Sequence, residues 1–149
     1  MAECECIDFI RSLFNAIQAG IVLIDEETKV VVDINPAACF MFGVKRDSVV
    51  GKRCMDALYD SNCIGCPVLT NDFEDDKENR EIIIHRKDGS KVYALLTIVS
   101  RILKDRRVFI NTIVDITKQK EAEKELSLHL NKAAQLLDDN MVKLKNGDV

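Results

Sequence analysis

Apolar residues near the start of the chain repeat at helical spacing. They recur every third or fourth position and are Ile7, Ile10, Phe14 and Ile17. This spacing places the side chains on one face of a helix. The pattern predicts an amphipathic helix over residues 5–18, ended by Gly20.

Two β-branched runs follow, and a polar turn separates them. The runs are "GIVLID" and "KVVVDIN", with "EETK" between them. Such a pair predicts a β-hairpin. The next helix begins at Asn35-Pro36, because Asn is a favoured N-cap and Pro is favoured in the first helical turn. We expect this helix to run to Gly43.

The middle of the chain has no regular pattern between Arg53 and Asn79, and strand patterns resume after it. "REIIIH" and "KVYALLTIVSRI" flank Asp88-Gly89, a strong hairpin signal, and "VFINTIVDI" follows a second turn, "LKDRR". The sequence therefore predicts three consecutive antiparallel strands.

From Thr117 onwards the pattern becomes helical and takes on a heptad spacing. The seam consists of Leu126, Leu130, Ala133, Leu137 and Leu144, with Asn140 at the remaining core position. Seams of this kind pack against a partner helix, and a polar helix of this length is marginal on its own. A helix packed back on its own sheet is the alternative interpretation.

The composition narrows the class of protein. Of the 149 residues, 47% are hydrophobic and 31% are charged, with a net charge of −4. This balance indicates a globular chain and gives no basic surface for nucleic acid. No apolar run reaches the roughly 20 residues that span a bilayer, and acidic residues stand where a signal peptide carries positive charge. We therefore expect a cytoplasmic protein without a membrane segment.

Three of the six cysteines lie close together in the irregular segment: Cys54, Cys63 and Cys66, the last followed by Pro67. One interpretation is a thiol–disulfide switch. A second is a metal site, either zinc or an iron–sulfur cluster, whose fourth ligand comes from Cys39, from the N-terminal cysteines, from a partner subunit or is lacking. The third is that these thiols are packed and structural.

The elements together resemble the PAS sensory domains. The matching stretches are "GIVLIDEETKVVVDINPAACFMFG", "VVGK", "HRKDGS" and "VDITKQKEAEKEL", and the resemblance covers residues from about 13 to 126. It implies an α+β fold, a five-stranded antiparallel sheet with helices on one face and a pocket between them. Amphipathic helices flank this domain at both ends. The predicted division is 1–19 for the N-terminal helix, 20–117 for the sensory domain and 118–149 for a signalling helix.

The resemblance also implies a function without catalysis. A sensory module of this kind detects a small ligand, a cofactor or a redox or metal state. It relays that signal through the C-terminal helix to an output domain or partner protein, commonly as a homodimer. The haem-binding histidine and the flavin-photochemistry cysteine motif of some members are missing. The alternative is an interaction or dimerisation module whose pocket is filled by its own side chains and whose cysteines are structural.

Polar residues in the predicted strands are the candidate contacts for a ligand. Asn111 shares a strand face with Phe109 and Ile113. If that face points inwards, Asn111 can bind a small ligand or a flavin ring, and if it points outwards, Asn111 is a solvated strand residue. Tyr93 and Thr97 share a face of the preceding strand and have the same two interpretations.

Overall fold

The computed structural model describes residues 2–58, 77–86 and 88–145. Within them the helices are α1 (Ala2–Ala16), α2 (Pro36–Phe42), α3 (Arg46–Val49), α4 (Cys54–Ala57) and α5 (Thr117–Lys145). The strands are β1 (Gly20–Asp25), β2 (Val31–Ile34), β3 (Lys77–His85), β4 (Lys91–Leu103) and β5 (Arg106–Asp115). The chain divides into two compact units, with the boundary between Ile116 and Thr117. Among the described helices, none is long and apolar enough to cross a membrane.

The five strands form one antiparallel sheet in the order β2-β1-β5-β4-β3. The last strand, β5, therefore lies in the middle of the sheet, with the first strand, β1, beside it. This arrangement confirms the predicted five-stranded antiparallel sheet, the N-terminal hairpin and the three consecutive strands.

The core lies on one face of the sheet, where α2 packs against β1. Its apolar residues include Val22, Ile34, Ala38, Phe42 and Phe109, each at most 4% exposed. A Cβ atom on Gly20 would lie 3.1 Å from the Cα and Cβ atoms of Ala38, so glycine at this position allows the helix to pack closely on the strand.

Helix α2 begins and ends as its sequence predicts. The side chain of Asn35 accepts a hydrogen bond from the backbone N–H of Ala38 at 3.0 Å, and Pro36 occupies the first turn. Gly43 ends the helix in the left-handed conformation, with φ of 68°, which favours glycine.

The predicted irregular segment is shorter in the structure at both ends. Cys54–Ala57 forms a short helix, and the chain that leads into it is bonded to the outer edge of β2 and to the turn before that strand. The backbone N–H of Val31 donates to Lys52, and that of Cys54 donates to Lys29. At the other end, β3 begins at Lys77, before the apolar run "REIIIH" that predicts the strand. The long partner strand β4 pairs with these earlier residues too, and Lys77 lies opposite Ile98.

Candidate functional site

Asn111 lies at the centre of the core face of the sheet. Its neighbours across the ladder are Val22 on β1 and Ile98 on β4, which are 0% and 1% exposed. Along β5, Phe109 and Ile113 point to the same face and are equally buried. The face of Asn111 is therefore the inward one, which fulfils the condition under which the sequence predicts a ligand contact.

The amide of Asn111 is a polar group in apolar surroundings. The residue is 0% exposed and takes part in an interaction within the chain. Its Oδ1 atom accepts no hydrogen bond from the described residues. A buried polar atom that is not hydrogen-bonded costs about 1–3 kcal/mol, so its retention in a core needs a reason.

Tyr93 and Thr97 lie on the opposite face of the sheet. Along β4 the residues at positions 92, 94, 96 and 98 are buried in the core, whereas Tyr93 and Thr97 alternate with them and are half-buried. Thr97 pairs with Thr112 of β5 on that second face. The structure thus does not bring these two side chains together with Asn111, because they occupy odd positions of a strand whose even positions point inwards.

Asn35 connects several elements through one buried side chain. Its Oδ1 accepts hydrogen bonds from the N–H groups of Ile21 at 2.8 Å and Ala38 at 3.0 Å. Its Nδ2 donates to the carbonyl oxygens of Phe14 at 3.2 Å and Ala19 at 2.9 Å. The end of α1, the start of β1 and the start of α2 are therefore tied to one amide. The sequence signals the helix cap, but it gives no sign of the other three bonds.

Arg86 joins the C-terminus of α2 to the end of β3. Its Nε donates to the carbonyl oxygen of Met41 at 2.9 Å, and its guanidinium lies 5.2 Å from the ring centroid of Phe40. A cation at this position satisfies a helix-terminal carbonyl and interacts favourably with the helix dipole. Arg86 thereby holds α2 against the strand at one edge of the core.

The described cysteines differ in exposure. Cys54 is fully buried and belongs to the core, Cys39 is half-buried, and Cys6 is exposed on α1. Burial raises the pKa of the Cys39 thiol, partly offset by the positive charge of Arg46. Cys63 and Cys66 lie outside the described residues. Within the part of the chain that is described, no three metal-binding side chains form a cluster.

A polar groove of about 620 Å³ lies between the β1–β2 and β4–β5 turns. Its lining residues are Asp25, Glu26, Glu27, Thr28, Lys29, Asp105, Arg106 and Arg107. Only 4% of Asp25 is exposed; its carboxylate accepts bonds from the N–H groups of Glu27 and Thr28 and lies 2.8 Å from Arg106. The hydrogen bond from Thr28 lowers the pKa of Asp25, and Arg106 adds to this effect against the opposing effect of burial. The groove thus contains an ion pair that joins two turns.

Solved structures with the same fold are PAS domains of other proteins. The PAS domain of an HTR-like protein from Haloarcula marismortui is 19% identical, with a TM-score of 0.60 over 75% of this chain and 98% of that one. The PAS domain of BvgS from Bordetella pertussis is 20% identical, with a TM-score of 0.58 over 85% and 96%. The PAS domain of nitrogen regulation protein NR(II) from Vibrio parahaemolyticus is 13% identical, with a TM-score of 0.55 over 70% and 95%.

Sequence comparison assigns the family. No curated protein matches the chain as a relative. Residues 18–118, well over half of the chain, match the PAS domain family, and they include all five strands, α2 and the core amide Asn111. The chain belongs to the PAS domain family.

Proposed function

We propose that this chain is the sensory module of a signal-transduction protein and that it detects a small molecule bound on the core face of the sheet, beside Asn111. The family consists of sensory modules, and the solved structures similar to this chain include PAS domains of sensor kinases. The chain has no catalytic role in this proposal. The occupied state is relayed through α5 to an output domain or partner protein.

One observation carries the proposal: a fully buried amide stands at the centre of an otherwise apolar core face. Ligand sites in proteins are mostly apolar, with a few polar groups that orient the ligand. The Oδ1 atom of Asn111 is an acceptor for an N–H or O–H group of such a ligand. Tyr93 and Thr97, on the other face, are not part of this site.

The test is to ask whether a small molecule copurifies with the protein and whether Asn111 holds it. Native mass spectrometry of the purified chain is compared with that of Asn111→Leu and of the matched control Thr97→Val, which changes a polar strand residue on the opposite face. We expect a bound mass in the wild type and in the control, and its loss in Asn111→Leu.

The competing function is an interaction or dimerisation module with a self-filled core. In that case no bound mass is found in any of the three proteins. Asn111→Leu also leaves the dimer unchanged in sedimentation equilibrium, because dimerisation then needs no ligand beside Asn111. That pair of results contradicts ligand sensing.

The relay in this proposal requires two copies of the chain. Among the residues whose exposure is described, the leucines of α5 are exposed, and α1 also carries exposed apolar side chains, including Ile7 at 58% and Ile10 at 62%. Exposed apolar stripes on helices mark interaction surfaces. We expect a homodimer in sedimentation equilibrium at micromolar concentration, and a monomer would contradict the relay.

The cysteine triplet is a second proposed input. Cys54, Cys63 and Cys66 bind zinc or an iron–sulfur cluster, or they form a thiol–disulfide switch. Anaerobic purification followed by absorbance, metal and free-thiol measurements separates these options. A colourless, metal-free protein whose thiols resist mild oxidation leaves the cysteines with a structural role alone.

A further inference from the structure

The hairpin that joins β4 to β5 extends beyond the strands on either side of it. The ladder between β1 and β5 reaches only as far as Val108, and the ladder between β4 and the described part of β3 reaches only to Ile98. The pairing of β4 with β5 continues to its last pair, Leu103 opposite Arg106. Residues 101–107 therefore form a two-stranded projection, called the hairpin end below.

Burial stops abruptly where the hairpin end begins. Val108 and Phe109 are 3% and 1% exposed, whereas all seven residues of the hairpin end are exposed. Two adjacent residues among the seven are large and aliphatic, Ile102 at 68% and Leu103 at 47%. Among the described strand residues, Ile102 is the most exposed large apolar side chain. These two side chains contribute nothing to the core, so only contact with another body removes them from water.

The two aliphatic side chains lie on opposite faces of the hairpin. Successive residues of a strand point to opposite faces, and residues directly opposite each other in a ladder share a face. Ile102 lies opposite Arg107, and Leu103 lies opposite Arg106. Each face of the hairpin end thus has the same composition, one aliphatic side chain beside one arginine.

The hairpin end is basic in a chain that is acidic overall. Its seven residues include one acid, Asp105, and four cations, which are Arg101, Lys104, Arg106 and Arg107, whereas the whole chain has a net charge of −4. Exposed charges are screened beyond about 8 Å at physiological ionic strength. A surface in contact with the hairpin end therefore interacts mainly with the local charges.

The β1–β2 turn supplies carboxylates that neutralise part of this local charge. Asp25 lies 2.8 Å from Arg106, and Glu26 lies 3.3 Å from Arg107. The two arginine side chains are nevertheless 61% and 60% exposed. A guanidinium has five N–H donors, of which one carboxylate uses at most two, so each arginine keeps donors for an outside anion. The attraction to an anionic surface is modest for this reason, and apolar contact has to add to it.

A lipid bilayer fits a hairpin end that is apolar on both faces. A folded partner protein that packs against one face leaves the aliphatic side chain of the other face in water. A bilayer surrounds an inserted hairpin end and takes both side chains out of water. The long side chains of arginine and lysine then reach back to the phosphates at the membrane surface. Exposed apolar residues flanked by cations are typical of segments that lie in the membrane interface.

We propose that the hairpin end is a peripheral membrane contact. Ile102 and Leu103 insert among the headgroups of a bilayer that contains anionic lipids, and the four cations of the hairpin end bind the lipid phosphates. This contact goes beyond the proposed sensory function and does not depend on it. Because only two aliphatic side chains and a few cations take part, the binding is weak and reversible.

Tryptophan fluorescence tests the insertion, since the chain contains no tryptophan. Ile102→Trp and Leu103→Trp place one reporter on each face of the hairpin end in the full chain, and Lys91→Trp, at the opposite end of β4, is the control. The probe is a vesicle of phosphatidylcholine and phosphatidylserine in a molar ratio of about seven to three. We expect the emission of both reporters to shift to shorter wavelength and that of the control to stay unchanged. A shift in one reporter alone, or in neither, overturns the proposal.

Vesicle cosedimentation measures the affinity without an added tryptophan. The double variant Ile102→Ser, Leu103→Ser is expected to bind the same vesicles at least tenfold more weakly than the wild type. Val32→Ser is the matched control, because it removes an aliphatic side chain that is 38% exposed on β2. The control should bind as the wild type does, and unchanged melting temperatures show that the variants remain folded.

The cations are tested in the same assay. Lys104→Gln is expected to weaken binding about fivefold, the effect of one cation near an anionic membrane surface. Lys91→Gln, which removes an exposed cation from the other end of β4, should have no effect. Equal binding of the wild type to vesicles of phosphatidylcholine alone refutes the role of the cations.

Two further results contradict the membrane contact. If the wild type binds immobilised polyglutamate but not the vesicles, the hairpin end docks on an acidic protein segment instead. If the double variant Ile102→Ser, Leu103→Ser binds the vesicles as well as the wild type does, the membrane contact lies elsewhere on the chain.

Discussion

Asn35 joins three elements of the fold through a single side chain. Every hydrogen-bonding position of its amide is used, twice as acceptor and twice as donor, and the residue is completely buried. Removal of such a group leaves several backbone partners without a bond inside the protein, where water does not replace it. We therefore expect the side chain of Asn35 to contribute more to the free energy of unfolding than a helix N-cap usually does.

Asn35→Ala is expected to lower the free energy of unfolding by about 3 kcal/mol, more than the ~1 kcal/mol typical of a lost N-cap. Urea denaturation measures the effect. The matched control is Asn15→Ala on the exposed side of α1, which should change stability by less than about 0.5 kcal/mol. Equal effects of the two substitutions would refute the special role of Asn35.

The sequence predicts only part of the surroundings of Asn35 and Asn111. The Asn-Pro pair predicts the cap, because capping bonds join residues close in the chain. The bonds to Phe14 and Ala19 depend on where α1 ends in space, which no local pattern encodes. For Asn111 the strand alternation groups it with Phe109, but which face points inwards is decided by the packing of α2 on the sheet.

Among the elements, the turns at one end of the sheet depend on each other. Asp25 at the end of β1 fixes its own turn through the N–H groups of Glu27 and Thr28, and its ion pair with Arg106 attaches that turn to the start of β5. Lys104 and Asp105 have φ values of 47° and 64°, as a two-residue hairpin turn requires. The two hairpins are therefore connected by charge as well as by the β1–β5 ladder.

Asp25→Asn is expected to lower the free energy of unfolding at neutral pH by about 1–2 kcal/mol, since a charge-assisted bond becomes a neutral one. The pKa of Asp25 is lowered in the folded protein, so its carboxylate stabilises the fold above the unfolded-state pKa of 3.8. That contribution disappears as the pH falls through the lower folded-state pKa.

Unfolding measured across a pH series checks this dependence. The difference between wild type and Asp25→Asn should be constant near neutral pH and shrink in acid. Asp105→Asn, at an exposed position in the same groove, is the control and should show no such trend. A difference that grows in acid would contradict the ion pair.

The boundaries of elements follow the sequence only where their partners are local. The β1–β2 hairpin and α2 match their patterns, because turn and cap residues set their ends. β3 begins before its apolar run, since its pairing partner β4 continues to Leu103. The sequence does not predict the short helix at Cys54, because its position depends on bonds to β2 and to the turn before β2, which are distant in the chain.

For the whole molecule, the proposed relay depends on whether two copies of the chain associate through α5. Leu137 belongs to the heptad seam of α5, so a charge at this position disturbs the proposed pairing. Leu137→Asp is expected to weaken the dimer at least about a hundredfold, because each copy then buries a carboxylate. Sedimentation equilibrium measures the dissociation constant, and Gln135→Asp, which lies on the same helix outside the seam, should leave the dimer intact. If Leu137→Asp and Gln135→Asp form dimers of equal affinity, the dimer interface does not include the seam of α5.

The order of strands in the sheet has a consequence for how the chain folds during synthesis. β1 lies between β2 and β5, and Gly20 pairs with Ile113, so the central ladder joins the beginning of the domain to its end. Contacts between positions so far apart in the sequence slow folding, because the loop between them must close first. The β1–β2 hairpin is therefore synthesised early, and the edge of β1 that pairs with β5 stays unpaired until β5 has been made. α5 follows β5 directly, so this helix is synthesised only after the strand that completes the sheet.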